Sequence, residues 1–363
     1  MKAIHQFSAG FANGDAISNE ALAWRDVFRA WGYASEIFSD PACTLPEHRG
    51  HILDIARAHS VCRLSDIVLL HFSVGSIVNE TFAALSCRKA LVYHNVSPAD
   101  YFRLINPNTA AVLADGHRQL ALLANASETN LADSEFNARE LRAAGYRNVQ
   151  VLAPAIGFER LAVPPDRTVL RRFGNGLTNI LFVGRCVPNK KIEDLIETFD
   201  CFRQTVEPES RLIHVGSFAG VERYYSWLTG MVRRNRMDRV HFAGAVTQPQ
   251  LNAFYRCADL FLCMSEHEGF CIPLLESFYC DVPVLAYAAG AVPETLGGAG
   301  VLFREKNGPA VAEMMGELIR NRHLRSAVLE SQRARLARYR ARRPEVTMRA
   351  ALASLLEAHC PTI

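Results

Sequence analysis

Residues 265–294 read SEHEGFCIPLLESFYCDVPVLAYAAGAVPE, and the reading of this stretch decides the fold. The apolar run 259–264 leads into it, and a second run, 282–287, lies inside it; both have the length of buried strands. Between them Pro273 suits the first position of a helix running to about Cys280. Strand, turn, helix, strand is the repeating unit of a parallel sheet, so an α/β fold is expected. In such a unit the turn sits at the carboxyl end of a strand and the amino end of a helix, where unpaired backbone N–H groups favour an anion. Gly269, Phe270 and Cys271 occupy that turn, with Glu268 before it and Glu276 after it. A carboxylate beside an anion site is best used to accept hydrogen bonds from hydroxyl groups. The pattern therefore suits a ligand with phosphate in its middle and polyols at its ends.

The spacing Glu-X7-Glu, written here EGFCIPLLE, resembles the signature of the retaining GT-B glycosyltransferases of glycosyltransferase family four. The resemblance implies two doubly wound Rossmann-like domains facing a cleft. Cys271 stands where the family usually has glycine. A second element of the resemblance is 179–191, Asn-Ile-Leu-Phe-Val-Gly-Arg-Cys-Val-Pro-Asn-Lys-Lys, an apolar strand delivering Arg185 and Lys190 to its carboxyl end. Two cations there call for an anion, and the family pattern implies that Arg185 and Lys190 hold the diphosphate of a nucleotide sugar. Lys191 again stands where glycine is usual. The resemblance further implies that Glu268 orients donor-sugar hydroxyls, that Glu276 holds the ribose, and that Gly244 and Val246 lie against the nucleobase. Gly14 and Asp15, in the turn-rich loop after the first strand, fall where family members bring backbone toward the donor. His94 ends the apolar run 90–93 and matches the family histidine facing the donor sugar; His71 ends the run 66–71 and is the weaker candidate.

Length and composition agree with this organisation. A chain of 363 residues with 49% apolar content can bury two ordinary cores. The expected boundaries are 1–158 for an acceptor-side domain, 166–343 for a donor-side domain, and 344–363 for a terminal helix returning to the first. The segment 154–165, with Gly157 and the pair Pro164 and Pro165, reads as the linker. A net charge of +3 makes no general case for nucleic acid. Ten scattered cysteines without a C-x-x-C pair read as reduced thiols of a cytoplasmic enzyme. No apolar run approaches the length of a membrane span, and no signal peptide is evident. The nine arginines of 320–343 leave peripheral contact with the inner face of a membrane as an alternative to an ordinary solvated helical face.

The chemistry implied by the resemblance is sugar transfer from a UDP- or GDP-sugar to an acceptor hydroxyl with retention, on a glycan or lipid-linked saccharide of bacterial cell-surface polysaccharide. No cofactor is expected beyond the nucleotide sugar. No Asp-X-Asp handle occurs, and cations can take the place of a metal, so metal independence is expected. The competing readings are transfer to a small metabolite, nucleotide-sugar epimerisation, and nucleotide-sugar binding without catalysis.

Overall fold

The computed structural model describes residues 2–12 and 15–357. They divide into two compact units, one of Met1–Asp100, Pro107–Ala155 and Arg343–Ile363, the other of Tyr101–Asn106 and Ile156–Arg342. Each is built on a parallel sheet, as the α/β reading required.

The first unit carries β1 (Ile4–Ser8), β2 (Ile37–Ser39), β3 (Leu53–Asp54), β4 (Ile67–Phe72), β5 (Arg88–Tyr93), β6 (Thr129–Ala132) and β7 (Val149–Val151). Their order across the sheet is β3-β2-β1-β4-β5-β6-β7. The two directions of winding meet between β1 and β4. Strands β1 and β4 are buried along their whole length, as expected where helices cover both faces of a parallel sheet; β4 is apolar except for His71, whereas β1 buries His5, Gln6 and Ser8 as well. The helix Ala16–Ala30 turns Ala21, Trp24 and Phe28 inward at helical spacing. Asp15 caps it, its Oδ2 accepting from the Ser18 N–H at 2.8 Å.

Residues 343–357 belong to this unit. Met348, Ala351, Leu352 and Leu355 join Ile4, Trp24, Leu69, Val92 and Leu131 in one core. Arg88 donates to the carbonyls of Ser354 and Leu355 at 2.9 and 3.0 Å, which ties the last helical turn to β5. Burial of Met348, Leu352 and Leu355 contributes about 1.5–3 kcal/mol for each side chain.

The second unit carries β8 (Thr178–Val183), β9 (Ser210–Val215), β10 (Val240–Gly244), β11 (Leu260–Cys263), β12 (Val284–Tyr287) and β13 (Val301–Phe303), in the order β10-β9-β8-β11-β12-β13. Its reversal point lies between β8 and β11. The arginine-rich segment forms the helix Arg322–Arg340, and much of its charge is engaged within the unit. Arg325 donates to the Asp259 carbonyl at 2.8 Å, Arg333 pairs with Asp281 at 2.7 Å, and Arg335 holds the carbonyls of Glu294 and Thr295. Arg342 lies over the Tyr339 ring at 3.7 Å. Among the described residues no helix is long and apolar enough to cross a membrane.

Three local elements of the structure depart from what the sequence pattern suggests. A helix over 49–59 is expected from pattern, but the chain forms the 3-10 turns Pro46–His51 and Ile55–Arg57, the short β3, and only one α turn, Ala58–Val61. Asp54 supplies the reason: its side chain accepts from the Ala56 N–H at 2.9 Å and starts a new turn where a helix would have continued. The helices Ile77–Ala84 and Arg167–Phe173 are not apparent from periodicity, being short at 8 and 7 residues. Both are fixed by their caps, Ser76 and Asp166.

Candidate functional site

Open parallel sheets bind ligands beyond the carboxyl ends of their strands, at the reversal of strand order. Each unit places its candidate residues there.

In the second unit, β8 ends at Val183 and the chain turns through Gly184, Arg185 and the 3-10 turn Pro188–Lys190. Lys191 follows in the left-handed conformation, φ 52 and ψ 54, before the helix Ile192–Thr205. Arg185 is exposed, and its side chain makes no hydrogen bond or ion pair among the described residues. Lys190 is the opposite case. Its Nζ donates to Glu268 Oε2 in a largely buried pair. Burial works against the lysine charge, but the Glu268 carboxylate keeps its pKa above the ordinary value.

Glu268 and Cys271 come from the stretch after β11. Cys271 has φ 70 and ψ 68 and directly precedes the helix Ile272–Tyr279. Both residues that stand in place of the family's glycine, Lys191 and Cys271, thus lie in left-handed backbone at the start of a helix, which glycine enters without steric cost. Gly290 supports Glu268 from behind. Its φ is +55, and a Cβ added there would stand 2.6 Å from the Glu268 carbonyl oxygen and 2.9 Å from its nitrogen. The Ala291 N–H donates to the same carbonyl at 2.9 Å. Phe270 is buried, and its carbonyl accepts from Thr295 Oγ1.

Glu276, on the first turns of Ile272–Tyr279, is 3% exposed, so its charge needs partners. Arg160 pairs with Oε1, and the Tyr255 hydroxyl donates to Oε2 at 2.7 Å. Glu266 is held by Lys306 at 2.8 Å, by Lys191 at 3.6 Å and by the Tyr101 hydroxyl at 3.0 Å. Burial opposes its charge, but Lys306, Tyr101 and Lys191 together bring its pKa below the ordinary range. Gly244, with φ 69, ends β10, and its carbonyl accepts from the Gly216 N–H at 2.9 Å. Val246 follows just before the Thr247 capping box of the helix Gln248–Cys257.

In the first unit a cavity of about 370 Å³ opens at the β1/β4 reversal. Ser8, Gly10, Phe11 and Asp15 line it on one side, with Ser73, Gly75, Ser76 and Asp40 on others; no basic side chain is among its lining residues. Asp15 thus serves as helix cap and cavity wall together. Gly14 lies outside the described residues.

His94 follows β5 beside this cavity's strands, and its protonation state can be worked out from its partners. Gln6 spends its amide N–H on the Ala21 carbonyl, 2.9 Å away, so its Oε1 is an acceptor facing His71 Nε2 at 2.8 Å. His71 must therefore carry hydrogen on Nε2. Burial, with His94 beside it, takes the His71 pKa well below the ordinary value, so it is neutral and its Nδ1 accepts. That nitrogen lies 2.9 Å from His94 Nε2, which must donate. His94 Nδ1 in turn faces Asp133 Oδ2 at 3.0 Å and Glu20 Oε2 at 4.0 Å. An imidazole that donates from both nitrogens is an imidazolium. Burial alone would discharge it, but Asp133, by charge and hydrogen bond, and then Glu20 and Asp15, bring its pKa up to about 9. The Glu20 carboxyl is pushed up to about 7 by burial, against the pull of His94 and with a further push from Asp133. Both nitrogens of His94 are engaged and its side chain is only 4% exposed. What it can offer a ligand is charge, with no free ring nitrogen.

Sequence reasoning missed Asp133, Glu20, Gln6, Arg160, Tyr255 and Lys306. Asp133 could have been found, because it sits at the carboxyl end of β6, beside Ser134, whose residue type suits a helix cap. The others reach the site through tertiary packing and carry no local signal.

Residues 178–321 match the model of the family described as glycosyl transferases group 1. Over 122 residues the chain is 30% identical to the O-antigen chain mannosyltransferase B of Escherichia coli, covering 34% of this chain and 32% of that protein. Over 180 residues it is 27% identical to the GDP-mannose-dependent alpha-(1-6)-phosphatidylinositol monomannoside mannosyltransferase of Mycolicibacterium smegmatis, 46% of each. The matched segments thus span less than half the length of these relatives. Among solved structures, the Anabaena protein HepE in complex with UDP-glucose superposes with a TM-score of 0.72 at 17% identity, covering 97% of this chain and 99% of that one. Sucrose-phosphate synthase from Thermosynechococcus elongatus gives 0.73 at 16%, covering 99% and 100%. At these identities the shared property is the GT-B α/β fold.

Proposed function

We propose, for a chain that belongs to the group 1 glycosyltransferases through its segment 178–321, that it moves a sugar from a UDP- or GDP-sugar to an acceptor hydroxyl with retention of configuration and without a metal ion. The observation that carries the reading is the Lys190–Glu268 pair at the β8/β11 reversal, a partly buried cation and a buried carboxylate beside a helix amino end. Charge develops on the departing diphosphate, and preorganised cations stabilise it most effectively where water is excluded. Arg185 has no competing partner and takes the diphosphate first. Lys190 has three donors, of which Glu268 uses one, so it can serve both groups at once. Glu268 then faces the donor-sugar hydroxyls, and Glu276, fixed by Arg160 and Tyr255, accepts from the ribose. Gly244 and Val246 supply backbone to the base.

The first unit's cavity, with Asp15 and Asp40 and no basic side chain, suits the hydroxyl-rich, uncharged part of an acceptor better than a phosphate. His94 contributes positive charge from beneath the strand ends. A saccharide acceptor in polysaccharide assembly fits both that cavity and the relatives, which include an O-antigen mannosyltransferase. With five arginines of 325–342 engaged inside their own unit, the reading does not depend on lipid contact.

The test is product analysis. The protein is incubated with UDP- and GDP-linked hexoses and neutral oligosaccharide acceptors in the presence of a chelator, and the anomeric configuration of the new linkage is read by NMR. Retention with a chelator present is expected. Inversion, an epimerised donor with no new linkage, or strict metal dependence would overturn the proposal.

A further inference from the structure

Two thiols stand beside the Lys190–Glu268 pair, and the proposed transfer chemistry uses neither. Cys263 ends β11, Cys271 precedes the helix Ile272–Tyr279, and Glu268 lies between them in sequence. One ligand atom from each of Cys263, Glu268 and Cys271 lies within 4.8 Å of the other two, and all three residues are buried. Both cysteines are free thiols. Ser265 Oγ accepts from Cys263 Sγ at 3.4 Å, which adds a fourth polar atom next to the group.

Two sulfurs and one carboxylate form a soft donor set, suited to zinc and its relatives and poorly suited to magnesium or calcium. The charge balance also allows occupation. With both thiols protonated, the buried group holds one positive charge on Lys190 and one negative charge on Glu268. A divalent cation that binds both sulfurs as thiolates brings two positive charges and creates two negative ones, so the site remains neutral. The reaction is M2+ plus two R–SH giving M(S–R)2 plus two protons released to solvent, with no change of oxidation state. The backbone gives an independent reason to look here. Cys271 occupies a left-handed position, φ 70, that is strained for a non-glycine residue, so a thiol is held where glycine would be unstrained.

We propose that Cys263, Glu268 and Cys271 form a binding site for a soft divalent cation of the zinc and cadmium class, and that occupation draws Glu268 away from Lys190 and stops turnover. The effect on turnover rests on the donor-site reading above; the binding itself does not.

Cadmium is the probe, because its thiolate complexes absorb in the ultraviolet and report binding without any assay of transfer. The full chain, freed of metal and reduced, is titrated with cadmium, and zinc is used to compete. The expected result is a saturable thiolate band that Cys271→Gly and Cys263→Ser each weaken by at least roughly 10–100-fold in affinity, since even outer partners of metal ligands matter that much. Cys62→Ser, which changes the separate thiol neighbourhood of Cys62 and Cys87, keeps the band. A band that survives in Cys271→Gly and Cys263→Ser, or that Cys62→Ser removes, overturns the site. In the second arm, zinc inhibits transfer by the wild type and Cys263→Ser is resistant. Cadmium bound at these cysteines with transfer unaffected would overturn the coupling to Lys190. If the wild type transfers no sugar at all, the donor reading fails while the band still decides the metal site.

Discussion

Replacing Asp133 with asparagine tests the buried charge on His94. The imidazolium state stabilises the fold because its pKa is about 9 in the native protein against an ordinary value of 6.5. A raised pKa means that the native state binds the proton more tightly than the unfolded chain. The stabilisation is therefore complete below about pH 6.5 and is lost as pH rises through about 9. At roughly 1.4 kcal/mol per pKa unit the full effect is about 3 kcal/mol. The asparagine side chain can still accept or donate a hydrogen bond but carries no charge, and with burial now opposed only weakly His94 becomes neutral. Glu20, 4.0 Å away, offsets part of the loss only to the extent that it is ionised, its pKa being raised to about 7. The expected cost of Asp133→Asn is therefore about 2–3 kcal/mol at pH 6–7, shrinking toward zero by about pH 10. Urea denaturation of wild type and variant at several pH values measures it directly, with equal slopes confirming that the same surface is exposed. A loss equally large at pH 10 would show that Asp133 acts by packing or shape, and the imidazolium assignment would be wrong.

Arg185→Ala should leave stability within about 0.5 kcal/mol, since its side chain makes no hydrogen bond or ion pair among the described residues, while nucleotide-sugar affinity measured by calorimetry falls strongly. Gly290→Ala should cost on the order of 2 kcal/mol or more, from left-handed strain and the approach to the Glu268 backbone; its melting temperature and nucleotide affinity should fall together. Lys191→Gly should raise stability by up to about 1 kcal/mol in chemical denaturation, because relief of left-handed strain outweighs the loss of two partly exposed ion pairs at 3.5 and 3.6 Å. The Glu20 carboxyl, with its pKa raised to about 7, favours the protonated form in the native state, so stability should decline as pH rises from about 4.5 to 7, and Glu20→Gln should flatten that part of the profile.

The sequence made the parallel α/β architecture legible because buried strands announce themselves as apolar runs, and 259–264 and 282–287 correspond to β11 and β12 within a residue or two at each end. It misled where side-chain capping overrides periodicity, as Asp54 does after the turn Pro46–His51. The candidate donor residues were legible to the extent that they are local: Glu268, Cys271 and Glu276 fall on one strand-turn-helix segment, and Arg185 and Lys190 on another. Their partners were not. Arg160 meets Glu276 across 116 residues of sequence, and Lys190 meets Glu268 across 78. The protonation of His94 required all of Gln6, His71, Asp133 and Glu20, brought together from β1, β4, the end of β6 and the first helix. A pattern scan weighs each such residue alone and finds only an ordinary buried polar side chain.

The most direct test of the central claim, that the β8/β11 reversal cradles a nucleotide sugar through Arg185 and Lys190, is a thermal-shift panel of UDP, GDP, ADP and their hexose conjugates on the wild type and Arg185→Ala. A ligand at a hundredfold excess over its Kd stabilises the native state by about 2.7 kcal/mol, or roughly 5–10 °C for a unit of this size. The account predicts such a rise for UDP or GDP and its sugar conjugates with the wild type, and little or none with Arg185→Ala. No rise with any nucleotide, or an equal rise in both proteins, would contradict it.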